Sequence, residues 1–255
     1  MITRMRLYIL AAALGGLVTA AGAGAQASDP VLLEELTWTE VRDAVRAGKT
    51  TIIVPAGGTE QNGPHMALGK HNARVKVLSR DIARMLGDAL VAPVIAYVPE
   101  GGITPPTAHM RYPGTIARSF KVHGFRNIVL LGDHGSTQAG QRAVAARLNR
   151  EWASTGVRVH AIEEYYRAAE IEVPRLLRAR GYSDAELGRH AGLSDTALMR
   201  ALDARMVRPD RLRPGSPGDG VDGDPTRATA GLGRPGAELI VSRTVDAVRK
   251  SITPR

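Results

Sequence analysis

The chain has 255 residues, 44% of them hydrophobic, which is enough for one substantial α/β domain or two small ones. It has no cysteine, so disulfide stapling, thiolate metal ligands and a cysteine nucleophile are excluded and the fold must rest on a packed core. The formal charge of +9 comes mostly from arginines spread over many segments, and aromatic residues are only 4%, which argues for a solvated basic surface and against nucleic-acid binding.

In chain order, Arg4 and Arg6, the apolar run Leu7 to Val18 and Ala25-Gln26-Ala27 predict a secretory signal peptide over residues 1–27. Cleavage is expected near Ala27, with export to the periplasm. That run is short for a membrane span, and no later one is long enough. Residues 28–255 are expected to form a single domain. Thr39 is expected to cap a helix to Ala47, stopped by Gly48. The β-branched run Thr51 to Val54 predicts a buried strand, ended by Pro55 and Gly57-Gly58. A helix follows from about Asn72 to Met85, with Val75, Leu78 and Ile82 at helical spacing and Gly87 at its end.

Ala89 to Val98 reads as a second strand region interrupted by Pro93. Glu100 to Thr115 reads as a long Gly/Pro-rich loop carrying His109, and Ala117 to Phe125 as a short helix at best. Asn127 to Leu131 is the clearest buried strand, followed by a helix from Thr137 to Trp152 and a strand from Val157 to Ile162. Arg167 to Arg180 is expected to be helical with a break at Pro174. Ser183 and Glu186 form a capping box, and Ser194 is expected to cap a helix through Leu202. Met206 to Ala230 reads as a surface loop and Ala237 to Ile252 as a closing helix.

Strand, Gly-bearing loop and helix in succession mark the βα turn of a parallel sheet. Two such turns stand out. The first carries Glu60, Asn62, His65 and His71; the second is Gly132-Asp133-His134-Gly135-Ser136. Both should open at the C-terminal edge of the sheet, where α/β folds place their chemistry, bringing Glu60, His71 and His134 into register. A carboxylate and two imidazoles suit a divalent metal. They equally suit a polar loop whose histidines cap or hydrogen-bond locally. His65, His123 and His160 read as ordinary histidines. Asp133 reads as a partner behind a ligand or as a loop residue. Ser136 lies outside any G-x-S-x-G elbow, which discounts it as a nucleophile.

The blocks Ala56-Gly-Gly-Thr-Glu60-Gln-Asn-Gly-Pro-His65, Tyr112-Pro-Gly-Thr-Ile116, Gly132-Asp-His134-Gly, His190-Ala-Gly-Leu-Ser-Asp195-Thr and Gly220-Val-Asp-Gly-Asp-Pro225-Thr follow one another in this chain. In that order they resemble the blocks of the creatininase (creatinine amidohydrolase) family. The resemblance implies a three-layer α/β sandwich with a mostly parallel central sheet flanked by helices, and a homo-oligomer. It also implies a divalent-metal hydrolase cutting a carbon–nitrogen bond in a cyclic or linear amide, a cyclic one foremost, through a metal-activated water. Glu60 and His134 match family ligands. The family's bridging Asp falls at His71, and its second-site positions fall at Asn62 and Ser136. A neutral imidazole cannot bridge two metals. The expectation is therefore one metal per chain on Glu60, His71 and His134, with zinc ahead of manganese or iron. His190 matches the family's proton-transfer histidine, and Asp195 is expected to orient it or share its work. His109, Tyr112 and Tyr165 are candidates for lining the substrate pocket. Few residues separate Ile116 from His123, where the family carries most of a helix, so a minimal crossover or a rearranged sheet edge is expected. The alternative reading is a non-catalytic exported member of the fold that binds a ligand or a protein partner.

Overall fold

A computed structural model describes residues 30–98 and 112–253. The expected signal peptide and His109 lie outside the described residues. Four parallel strands form one sheet in the order β2-β1-β3-β4: β1 Thr51–Ala56, β2 Ala89–Val91, β3 Asn127–Gly132 and β4 Arg158–Ala161. Helices cover both faces, as the α/β expectation requires. Alternation along the strands sorts their side chains. Ile53, Val129 and Leu131 pack with Val75, Leu78, Ile82, Ile240 and Val248 on one face. Ile52, Val54, Ile128 and Leu130 pack with Ala117, Leu148 and Trp152 on the other.

β1 runs two residues past the expected stop, through Pro55. The amides of Thr51 and Gly57 point to the β2 side, bonding Asp88 O and Ile95 O, so the two-residue alternation puts Pro55 on that side too. β2 has ended at Val91, so no ladder donor is lost there.

The first helix, α1 Trp38–Arg46, is capped by Thr37 instead of Thr39. Glu40 stands three residues after Thr37, and its carboxylate takes the Thr37 amide at 2.7 Å, completing a capping box. α2 is Lys70–Leu86. His71, Arg74, Val75, Leu78 and Ile82 share its buried face, so the helix that packs its apolar turns on the sheet also carries polar first-turn residues to the sheet's C-terminal edge.

The crossover from β2 to β3 contains α3, Tyr112–Val122, which begins inside the stretch expected to be loop. In the interior of the sheet β1 and β3 pair from Thr51↔Asn127 to Ala56↔Gly132 without a break. α4 is Gln138–Glu151. The segment expected to break at Pro174 is α5 Glu164–Arg167, a π-helical stretch Ala168–Glu172, and α6 Val173–Arg178. Pro174 sits where the π-helical stretch passes into α6, with Glu172 and Val173 both helical, so the chain does not break there. α7 is Asp184–Leu187, with the expected Ser183–Glu186 capping box. α8 is Leu193–Leu202, with Gly192 in the capping position expected for Ser194.

α9 spans Ala230–Ile252, seven residues more than expected at its start. Gly231, Gly233, Pro235 and Gly236 fall between the expected loop and the expected helix, and Gly233 serves close packing. A Cβ on Gly233 would lie 1.9 Å from Ala197 O of α8.

Candidate metal-binding active site

Glu60, His71 and His134 converge at the C-terminal edge of the sheet, with ligand-competent atoms all within 4.8 Å of one another. Each reaches this point from a different element. Glu60 lies in the loop after β1, tied by its amide to Leu68 O and by its carbonyl to the Asn62 side chain. That loop stays close to α2 because Gly57 and Gly58 lie against Asn72: a Cβ on Gly57 would fall 2.8 Å from Asn72 Cα, and the Gly58 amide donates to Asn72 Oδ1 at 3.0 Å. His71 is in the first turn of α2, and His134 directly follows β3 and Asp133.

The Glu60 carboxylate spans the two rings, with Oε1 2.8 Å from His71 Nε2 and Oε2 3.0 Å from His134 Nε2. Burial pushes the Glu60 carboxyl up, but hydrogen bonds from His134 and His71 outweigh it and hold the group well below the usual carboxylate range. His71 Nδ1 lies 2.7 Å from Asp133 Oδ2, which fixes the ring and turns Nε2 toward Glu60. His134 Nδ1 meets the Ser136 amide at 3.2 Å and the Ser136 hydroxyl at 2.7 Å. That hydroxyl can donate to Nδ1 or accept from it, so it accommodates either tautomer of His134.

These residues fit a divalent cation. Two imidazole nitrogens and one carboxylate converge, and one imidazole is backed by a carboxylate in the arrangement that orients histidine ligands and raises their basicity.

Below the three lies a buried charge network. Arg74 donates from Nε to Asp133 at 2.8 and 3.0 Å and from Nη1 to Asp195 Oδ1 at 2.8 Å. Lys70 Nζ donates to Asp195 Oδ2 at 2.7 Å, and Tyr165 donates its hydroxyl to Asp133 Oδ1 at 2.5 Å. Burial opposes ionisation of Asp133, but the Arg74 charge and the His71 contact lower its pKa. Burial likewise opposes ionisation of Asp195, and the charges of Lys70 and Arg74 hold it well below the usual range. Lowered native pKa values mean stability that is fully present above the unfolded-state pKa and lost as pH falls through the native ones. Unfolding midpoints in urea should therefore hold steady down to about pH 5 and drop below about pH 4. A midpoint flat to pH 2 would contradict the network's role.

The other expected residues fall as follows. His190 Nε2 donates to Gln61 O at 2.8 Å, and its Nδ1 faces Glu60 Oε1 at 3.9 Å. Asp195 does not bond His190 as expected, because both its oxygens are taken by Lys70 and Arg74. Its hold on that loop is through the Ala191 amide, which donates to Oδ2 at 3.1 Å. Ala191 is in the left-handed region at φ 54°, the only non-glycine residue there among the described residues. The Asp222 turn clamps the same loop: Asp222 N donates to His190 O at 2.8 Å, and a Cβ on Gly188 would fall 1.6 Å from Asp222 O.

Tyr165 is fully buried against Asp133 and is no part of the cavity wall; its neighbour Tyr166 is. Burial and the nearby Glu170 push the Tyr166 hydroxyl up to about 12, so it stands as a neutral donor. Tyr112 opens α3, and its side chain lies outside the described residues. Asn62 is fully buried and donates to the Glu60 backbone carbonyl, while Ser136 stands behind His134. His65 bonds Thr196 Oγ1 at 3.0 Å, as suits a structural histidine. Lys70, Tyr166, Glu170 and Arg189 line the cavity and were not singled out from the sequence. For Lys70 and Arg74 a signal existed: charged residues beside and one turn after His71, on the face that Val75, Leu78 and Ile82 mark as buried.

The family model for creatinine amidohydrolase (Creatininase) matches residues 34–248. The chain belongs to the creatininase family. It is 26% identical over 207 residues to creatinine amidohydrolase of Pseudomonas putida, covering 72% of this chain and 76% of that one. It is 26% identical over 235 residues to the mycofactocin precursor peptide peptidase of Mycobacterium tuberculosis, covering 78% and 84%. Among solved structures, a mutant creatininase of the Zn-Zn type superposes with a TM-score of 0.69 at 25% identity, covering 88% of this chain and 99% of that one. A manganese creatininase superposes at 0.68, with the same identity and coverage. The chain is thus a creatininase-family hydrolase acting on carbon–nitrogen bonds, and its neighbours are metal-bound.

Proposed function

We propose that this chain is an exported amidohydrolase that holds one divalent metal, zinc by its ligand set, on Glu60, His71 and His134. The observation that carries the reading is the meeting of these three side chains from three separate segments, with His71 backed by Asp133. Glu60, His71 and His134 would hold the ion, which would lower the pKa of water toward neutrality and polarise a carbonyl. The remaining work falls to the chain's own side chains. His190 commits its Nε2 proton to Gln61 O, which leaves Nδ1 on the cavity side to take up a proton and deliver it to the leaving nitrogen. Tyr166 offers a neutral hydroxyl at the wall, and Asp195 keeps the His190 loop in place. The same reading includes export through residues 1–27 and assembly of several copies.

The cavity at the three ligands is small, about 170 Å³, and suits a small amide. A larger open groove of about 1390 Å³ adjoins it at His190, bounded by Gln61, Pro64 and the turn around Asp222. That groove favours a second reading, in which the scissile amide belongs to a longer chain, as the name of the mycobacterial relative suggests. A panel of cyclic amides, linear amides and short peptides tests both. The wild type should hydrolyse at least one class, and His190→Ala should lose about 10²–10⁴-fold in kcat with unchanged metal content. No turnover of any class by the metal-loaded protein would overturn the reading.

A further inference from the structure

Glu60 is the one carboxylate of the cavity floor that is bonded only to imidazoles. Two further carboxylates line it: Asp195 is matched by buried cations, as is Asp133 below it, and Glu170 is not. Lys70 and Arg74 side chains are each 2% exposed, and between them they occupy both oxygens of Asp195 and approach both of Asp133. Lys70 lines the same cavity as the three metal-competent residues. Two fixed positive charges thus face two fixed negative ones.

We propose that Lys70 and Arg74 supply as side-chain charge what a second divalent cation would bring, and so restrict the cavity to one metal. The inference rests on the reading of Glu60, His71 and His134 as ligands. A second cation would meet the Lys70 ammonium in a poorly solvated space where Asp195 is already paired, leaving Glu170 alone to offset it. This separates the chain from its structural neighbour of the Zn-Zn type. Removing the ammonium alone would leave Asp195 Oδ2 with only the Ala191 amide, in a cavity that Glu170 also lines. That oxygen would then be open to a divalent ion.

The test is zinc content per chain after equilibrium dialysis against excess zinc, with folding checked by urea unfolding. Wild type and Lys70→Arg should hold about one zinc, and Lys70→Met about two, because only the last variant lacks the opposing charge. The double variant Lys70→Met/Asp195→Asn removes both charges at nearly constant volume and should return to about one. It also serves if Lys70→Met alone fails to fold, since two zinc ions in the folded double variant would overturn the inference. A folded Lys70→Met with one zinc, or a wild type with two, would overturn it while leaving the ligand reading intact. A wild type with none would overturn the ligand reading itself, and this inference with it.

Discussion

Glu60→Gln should abolish metal retention and lower hydrolysis by about 10²–10⁴-fold, the several kcal/mol that a Lewis-acid site supplies to such a reaction. Glu60 is the only anionic member of the three, and it contacts both imidazoles. The glutamine keeps the size and an acceptor but not the charge. It is half of the local geometry without the electrostatics, so the fold should survive while the cation is lost. Metal analysis and kcat on the same preparation check this. A Glu60→Gln protein that keeps its metal and its rate would remove Glu60 from the site.

Asp133→Ala should be the most destabilising single change near the site, costing about 3–5 kcal/mol. Asp133 is 1% exposed and accepts from Arg74, His71 and Tyr165. Its removal leaves a buried guanidinium short of its counter-charge and a buried phenol without an acceptor. Set against the roughly 5–15 kcal/mol of a typical domain, that is a large share of the total. Asp133→Asn keeps the shape and should cost less, yet it should still weaken metal binding about 10–100-fold through loss of the carboxylate behind His71. Urea unfolding separates the two variants. Equal midpoints for wild type and Asp133→Ala would mean that the network contributes nothing to stability.

The sheet was legible because a strand buried on both faces needs a continuous apolar run, and Ile52 to Val54 and Ile128 to Leu131 have one. The misplaced boundaries share a cause. Tyr112-Pro113-Gly114 and Gly231 to Gly236 carry the residues of loops, yet both lie within helices. Proline is tolerated early in a helix, and glycine can be chosen for contact with a neighbour, as Gly233 is against Ala197. Local composition cannot distinguish those uses from a turn.

At the site, Glu60, His71 and His134 were legible because each stands close after a strand end or at the helix start that follows one. Tyr165 and Tyr166 were not separable: adjacent residues on a helix point about 100° apart, and only packing decides which faces the core. Lys70 and Arg74 look like ordinary helix charges until the carboxylates opposite them, 59 residues or more away along the chain, are placed in space.

The most direct test of the central claim is elemental analysis of the purified protein, wild type beside His134→Ala. The account predicts about one divalent metal per chain in the wild type, zinc foremost, and its loss in the variant. A folded wild type that holds no metal even after reconstitution would contradict it and leave a protein of this family that binds without metal chemistry.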